Sequence, residues 1–167
     1  YEYLILKRAG ITTTEELLKE FQNSIRTFEA MPGRLFQTVA DASYYTWEEG
    51  PYGRVKDSVN KTISAYDKGP LIGMLLDLKI RHETKNKRSL DDLMRLLYNK
   101  YYKQMGRGFT EDEFRKEAEQ LSGSSLPDIF DYVYTLKPLD YSKYLHYAGL
   151  SIDTVSQEKS YRISIDP

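Results

Sequence analysis

The chain has 167 residues, of which 40% are hydrophobic and 29% charged, with a formal net charge of -1. This composition is typical of one folded domain rather than of a disordered segment. The near-zero charge gives no global field for nucleic acid or anionic membranes, and no apolar run reaches the roughly 20 residues that cross a bilayer. The absence of cysteine excludes disulfides, thiolate nucleophiles and cysteine-ligated zinc.

The chain opens with a short apolar segment followed by basic residues and a glycine, a pattern typical of a helix end. Residues 1–10 therefore predict the last turns of a helix whose start is missing, and we expect the chain to be part of a longer protein. The next helix has a clear start, because Thr13-x-x-Glu16 is a capping-box signature. We expect this second helix to end at Pro32-Gly33.

The most apolar segment lies in the middle of the chain, after a predicted short helix over 41–49 and a predicted loop over 49–59. Residues 70–81 carry two apolar stripes at helical spacing, which is typical of a helix buried on most of its circumference. The start of this helix is open, because Pro70 cannot donate a hydrogen bond to the Tyr66 carbonyl. The helix either runs unbroken from Tyr66 or begins at Pro70.

Tyr66 is of interest because of the residues that would share its face of an unbroken helix. These residues are small or polar, whereas the other faces of the helix are apolar: Gly69, Pro70, Gly73 and Asp77. A tyrosine beside small residues fits the wall of a cleft, and it also fits close packing of two helices. Tyr66 is therefore a candidate for a catalytic side chain, with close helix packing as the alternative.

The second half of the chain predicts further helices and one strand. Three helix starts are indicated by capping boxes and by a proline at the first helical position, at Ser89, Thr110 and Pro127. A last helix is predicted over 141–147, and residues 161–165 alternate apolar and polar side chains as strands do. A lone strand needs a partner, and we expect this one to pair with a segment outside the chain.

The predicted fold class is mainly α, a bundle-like subdomain of roughly six to eight helices with a short β-like C-terminal tail. We divide the chain into a helical part over 1–150 and a linker or strand over 151–167 that leads toward a following domain.

The two histidines, His82 and His146, do not predict a metal site. His82-Glu83 opens like the zinc motif H-E-x-x-H, but Asn86 stands where the second histidine is required. We interpret His82 as part of a solvated helix end and His146 as a packing residue of its helix. The basic run 79–88 is likewise interpreted as a solvated helix end and loop rather than a nucleic-acid surface.

A set of short segments extends in order over residues 1–150. They are Tyr1 to Gly10 (YEYLILKRAG), Thr13-Thr14-Glu15-Glu16, Pro32-Gly33-Arg34, Ala42-Ser43 leading to Trp47, Tyr66-Asp67-Lys68-Gly69 running into LLDLKIR, Arg88-Ser89-Leu90-Asp91-Asp92, Gly106-Arg107-Gly108-Phe109-Thr110, Asp128-Ile129-Phe130-Asp131-Tyr132-Val133 and Ala148-Gly149-Leu150. No single segment is diagnostic. In its order and spacing, the set resembles the glycyl aminopeptidase family of zinc metallopeptidases.

The resemblance implies a fold, a cofactor and a partner. The family has a thermolysin-like (gluzincin) catalytic domain, usually followed by a PDZ domain, and this chain resembles the helical part of the catalytic domain after the zinc site. The H-E-x-x-H helix and the third ligand, a glutamate, would precede residue 1. No metal or cofactor is then expected in this chain, whereas zinc and an upstream zinc-binding subdomain belong to the parent protein. Exported homologues are common in the family, so the resemblance is compatible with a periplasmic or exported parent.

The resemblance also implies a role for one residue. The tyrosine of the Tyr-x-Lys-Gly motif resembles the one with which related zinc aminopeptidases stabilise the tetrahedral intermediate, and here it is Tyr66. The sequence departs from the family at Pro70, where a small helix former is usual, and at Ala65, where a second tyrosine is common. We expect the parent to hydrolyse the N-terminal bond of a peptide substrate and this chain alone to be inactive. The alternative is a non-catalytic helical interaction module derived from the peptidase fold, and no nucleic-acid partner or membrane segment is expected.

Overall fold

The computed structural model describes residues 1–46 and 60–153 in full and the backbone of residues 162–165. The elements, in chain order, are α1 (Glu2–Arg8), α2 (Thr14–Glu29), a 3-10 helix (Pro32–Leu35), α3 (Val39–Tyr44), α4 (Ala65–Glu83), α5 (Leu90–Leu97), a π-helix (Tyr98–Gln104), α6 (Glu111–Ser122), α7 (Pro127–Tyr134), α8 (Tyr141–His146), β1 (Leu150–Asp153) and β2 (Arg162–Ile165). The predicted class, mainly helical with a short β tail, is confirmed.

Capping chemistry sets the starts of several helices where the sequence predicts them. At α2, the Thr13 hydroxyl accepts from the Glu16 N–H at 3.1 Å, and the Glu16 carboxylate accepts from the Thr13 N–H at 2.7 Å. The box that begins α6 makes the same reciprocal pair of hydrogen bonds. Each pair satisfies N–H groups that the first turn of a helix leaves without a partner.

The central helix is α4, which runs unbroken through Pro70. Its N-cap is Ser64, whose hydroxyl accepts from the Tyr66 N–H at 3.1 Å. Of the two predicted starts, the one at Tyr66 is therefore correct to within one residue and the one at Pro70 is wrong. The helix contacts α2, α3 and each of α5 to α8. Its apolar composition reflects this central position.

The hydrophobic core surrounds α4. Its largest fully buried side chains come from α2, α4, α5, α7 and α8 and from the residue just before α7: Ile25, Leu71, Leu75, Ile80, Leu93, Leu97, Leu126, Ile129, Tyr132, Tyr144 and Leu145. Within the part of the chain that the structure describes, no helix combines the length and the apolar composition that crossing a membrane requires.

Two helical segments differ from the sequence-based expectation. α3 begins earlier than predicted because Thr38 caps it, accepting from the Asp41 N–H at 3.0 Å. Residues 47–59, which include the end of this predicted helix and the predicted loop, lie outside the described residues. α5 continues directly into the π-helix, in which the Met105 N–H reaches the Lys100 carbonyl at 3.2 Å. The apolar spacing gave no indication of this change in winding.

The C-terminal strand has its partner within the chain. β2 pairs antiparallel with β1 in a register that runs from Leu150 opposite Ile165 to Asp153 opposite Arg162. The expected partner outside the chain is therefore wrong. β1 does alternate apolar and polar residues, but over only four positions directly after a helix stop, which is too short a pattern to predict a strand.

Candidate functional site

A cleft of about 630 Å³ lies between α1, α2 and α4, and the first residues of α5 complete its lining. Aromatic side chains from three helices contribute to the walls: Tyr1, Tyr3, Phe21 and Tyr66. The volume falls in the range of sites that bind small ligands. The arrangement joins residues from the start of the chain to residues more than 60 positions later.

The α4 side of the cleft includes the small, polar face that helical spacing predicts, together with the apolar Leu71, Met74 and Leu78. Tyr66, Gly69, Pro70, Gly73 and Asp77 all line it. A Cβ atom built on either glycine would meet no described atom within 4 Å. These glycines therefore do not serve close packing against another described helix, and the face is open toward the cleft.

The backbone of Tyr66 is held at the start of α4, whereas its side chain is exposed. Ser64 fixes the start of the helix through the Tyr66 N–H, whereas the Tyr66 side chain is 85% exposed. Its hydroxyl has no hydrogen-bond partner among the residues that the structure describes. The phenol O–H is thus free to donate to a molecule in the cleft.

Two carboxylates of the cleft tie its walls together. Asp77 accepts from the Arg81 Nε at 2.8 Å and from the Leu90 N–H at 2.7 Å, which joins α4 to the start of α5. Asp91 pairs with Arg8 at 2.8 Å, which joins α5 to α1. These carboxylates therefore hold the lining of the cleft in place.

The titratable groups of the cleft differ in their surroundings. Burial raises the pKa of Asp67, and a backbone hydrogen bond from Ser64 offsets only part of that effect. Burial also raises the pKa of Asp91, but hydrogen bonds from Arg8 and Tyr1 outweigh it and hold that pKa below its usual value. The pKa of the Tyr1 phenol is raised, first by burial and then by its hydrogen bond to Asp91. Asp67 is therefore the cleft carboxylate whose charge is opposed by its surroundings.

Neither histidine lines the cleft. His82 is exposed near the end of α4, as expected, and stacks on Tyr147 with ring centroids 3.9 Å apart. His146 is exposed at the end of α8, so the expectation of a packing residue is wrong. The buried positions of that helix are Tyr141, Tyr144 and Leu145. His146 follows Leu145 and therefore lies on another side of the helix.

The basic run 79–88 is engaged in part within α4. Lys79 forms an ion pair with Glu83, and Arg81 forms one with Asp77. Both pairs follow the i,i+4 spacing on which helical side chains meet. The arrangement agrees with the interpretation of this run as the solvated end of a helix.

The zinc implied by the resemblance does not fit the described residues of this chain. Within 1–46 and 60–153, no group of three or more histidine, aspartate or glutamate side chains lies close enough to hold a metal ion. Structural and catalytic zinc sites need at least three protein ligands. A zinc centre would therefore require ligands from elsewhere.

Sequence reasoning missed a second residue beside Tyr66. Lys68 is only 2% exposed and faces the core, opposite the cleft. A signal was present, because Lys68 precedes the buried Ile72 and Leu75 by four and seven positions, the spacing of one helix face. A lysine is rarely found fully buried, which argues against such a prediction from sequence.

Comparison with known proteins supports a peptidase origin. Residues 1–72 match the family model of M61 glycyl aminopeptidase. The chain is also similar to the crystal structure of an aminopeptidase N family protein from Idiomarina loihiensis, with a TM-score of 0.81, 26% sequence identity and coverage of 90% of this chain. It spans 25% of the length of that protein. No curated protein matches the chain. The resemblance to the glycyl aminopeptidase family is thus confirmed.

Proposed function

We propose that this chain forms one wall of the substrate cleft in a zinc-dependent aminopeptidase of thermolysin-like fold, in which Tyr66 donates a hydrogen bond to the oxyanion of the tetrahedral intermediate. The observation that carries the proposal is the position of Tyr66. Its phenol is 85% exposed, lines the cleft and stands beside glycines that leave space for a ligand. The similarities to aminopeptidases over residues 1–72 and over 90% of the chain support the same reaction class.

The proposal assigns the metal to another part of the parent protein. The described residues of this chain offer no ligand set, so an upstream zinc-binding subdomain would hold the zinc that activates water. That subdomain would form the opposite wall of the cleft. The chain alone would be inactive, and the substrate of the complete protein would be a peptide with a free N-terminus.

The contribution of Tyr66 is electrostatic. When the peptide carbonyl is attacked, its oxygen gains negative charge, and a donor already in place stabilises that charge without reorganisation. In this chain the phenol faces open space. Once the opposite wall and the substrate exclude water, the same hydrogen bond would act in a lower dielectric, where it contributes more.

The test is Tyr66→Phe in the full-length zinc-loaded protein, since phenylalanine keeps the ring and removes the donor. We expect kcat for peptide hydrolysis to fall by about 10²- to 10³-fold with little change in KM, as for loss of an oxyanion donor. A matched control is Tyr102→Phe, because Tyr102 is also exposed, at 64%, and lies outside the cleft lining.

A loss of kcat below about tenfold in Tyr66→Phe would exclude the oxyanion role. If the full-length protein with zinc hydrolyses no peptide at all, the chain is better described as a non-catalytic helical interaction module. Peptide hydrolysis that depends on zinc but not on Tyr66 would support the peptidase activity and exclude a catalytic role for Tyr66.

A further inference from the structure

A buried lysine lies two residues after Tyr66, on the other side of α4. Lys68 is 2% exposed, and its Nζ donates to the Thr135 carbonyl at 3.3 Å. Burying an ammonium group is unfavourable unless hydrogen bonds and opposite charge compensate it, and an apolar side chain of similar size is often at least as stable in its place. Filling the core therefore does not by itself explain a lysine at this position, and its contacts indicate a further role.

The surroundings of Lys68 connect the start of α4 to the ends of three other helices. Burial lowers the pKa of Lys68, and the nearby charge of Glu29, at the end of α2, opposes that shift. Glu29 itself accepts from the Tyr141 hydroxyl at 2.9 Å, where α8 begins, and pairs with Arg34 at 3.1 Å. Thr135 directly follows α7. Lys68 thus links the first turn of α4 to this network.

The first turn of α4 needs such a contact because its backbone hydrogen bonds are incomplete. Pro70 has no N–H to donate to the Tyr66 carbonyl. The Lys68 N–H reaches the Ser64 carbonyl at 3.4 Å, compared with 3.0 Å for the Asp67 N–H. The Tyr66 side chain is exposed and cannot hold the turn by packing. Besides the Ser64 cap, restraint therefore comes from the core side of the turn, where Lys68 donates to the Thr135 carbonyl.

We infer that Lys68 is the positioning residue for Tyr66: by anchoring the core face of the first turn of α4, it sets the direction in which the phenol enters the cleft. Successive helical residues are about 100° apart, so these two side chains lie on nearly opposite sides of the axis. A rotation or shift of the turn would move both together. The inference rests on the proposed function of Tyr66, although the anchoring of the turn can be measured without it.

A double-mutant cycle in the full-length protein tests the positioning role. Lys68→Met keeps the length of the side chain and removes the charge and the hydrogen bond to Thr135. With Tyr66 present, we expect kcat to fall about tenfold and KM to change less than about twofold. In the Tyr66→Phe background, the same substitution should lower kcat no further, because the two residues act as a unit. Equal losses in both backgrounds would overturn the inference.

Amide hydrogen exchange on the same proteins provides a second measurement that does not depend on activity. In Lys68→Met, the backbone amides at positions 67 and 68 should exchange about tenfold faster than in the unsubstituted protein. The exchange rate of the Leu75 amide should stay unchanged. Glu29→Gln, which removes the nearby charge, should act in the same direction with a smaller effect. Unchanged exchange in the first turn of α4 would overturn the inference even if kcat fell.

Lys116→Met is the matched control, since it makes the same change at an exposed position of α6. It should alter neither kcat nor the exchange of the first turn of α4. Failure of the proposed function would appear in Tyr66→Phe alone, as an unchanged kcat. Failure of the positioning role would appear in the cycle and in the exchange rates, so the two are distinguishable.

Discussion

The two faces of α4 are built in opposite ways. On the core face, Leu75 and Ile80 are 0% exposed and pack among other helices. On the cleft face, Gly73 has open space where a side chain would stand, and Tyr66 is 85% exposed. One helix thus places its contribution to stability on one side and its candidate chemistry on the other. Truncating a buried side chain on the core face and adding one at Gly73 on the cleft face should therefore change the free energy of unfolding with opposite signs.

The largest effect is expected from Leu75→Ala on the core face. Removing a fully buried side chain loses its transfer free energy and leaves a cavity, so the free energy of unfolding should fall by about 2–5 kcal/mol. Urea denaturation followed by circular dichroism measures this. Met94→Ala is the control, because Met94 is 41% exposed and its removal should change stability by no more than about 0.5 kcal/mol. Similar losses in both variants would contradict the central position of α4.

Gly73→Ala should act in the opposite direction. The added Cβ meets no described atom within 4 Å, and alanine is favoured over glycine inside a helix by about 0.5–1 kcal/mol. The midpoint of urea denaturation should therefore rise. Gly33→Ala is the matched substitution with the reverse outcome, because its Cβ would lie 2.0 Å from the Thr62 carbonyl oxygen. If Gly73→Ala destabilises the chain, the cleft face is packed after all.

The smallest effect is expected from Asp67→Asn, and it depends on pH. Because burial raises the pKa of Asp67 above its usual value of 3.8, the folded chain holds this proton more tightly than the unfolded chain. The charged carboxylate therefore opposes folding above the folded-state pKa, and this penalty vanishes below about 3.8. At pH 7 the asparagine variant should be more stable by less than about 1 kcal/mol, since the group is partly solvated. At pH 3 the difference should be gone.

Asp128→Asn is the control of opposite sign for that experiment. Hydrogen bonds and ion pairs with Lys143 and Lys137 lower the pKa of Asp128 from 3.8 to about 2. The carboxylate thus stabilises the fold at pH 7, and its contribution is lost as pH falls from about 3.8 toward 2. Urea midpoints of the two variants should shift with opposite signs at pH 7, and both shifts should be smaller at pH 3. A common sign would mean that loss of charge, rather than the local surroundings, determines the result.

The features that sequence predicted well are those that depend on neighbouring residues. Thr13 and Glu16 are three positions apart, so their capping box can be recognised without knowledge of the rest of the fold. The cleft face of α4 follows in the same way, because helical spacing alone brings Tyr66, Gly69 and Gly73 to one side.

The features that sequence missed depend on distant residues. The hydrogen bond of Lys68 joins it to Thr135, 67 positions away, and no local pattern predicts that meeting. The α1 and α2 side of the cleft was missed for the same reason, because its residues form a site only when three helices pack together. Tyr66 could be identified because the family resemblance implied a role for the tyrosine of its motif. The resemblance implied no role for Lys68, which belongs to the same motif.

The two sides of the cleft also differ in how firmly they are attached. α1 has no buried residue, and it is joined to α5 by the ion pair of Arg8 with Asp91, in which the arginine side chain is 49% exposed. Such a pair weakens as salt screens it. α1 should therefore detach by local unfolding long before α4 does. The cleft thus has one wall that is fixed in the core, α4, and one weakly attached wall, α1, whose opening added salt should favour.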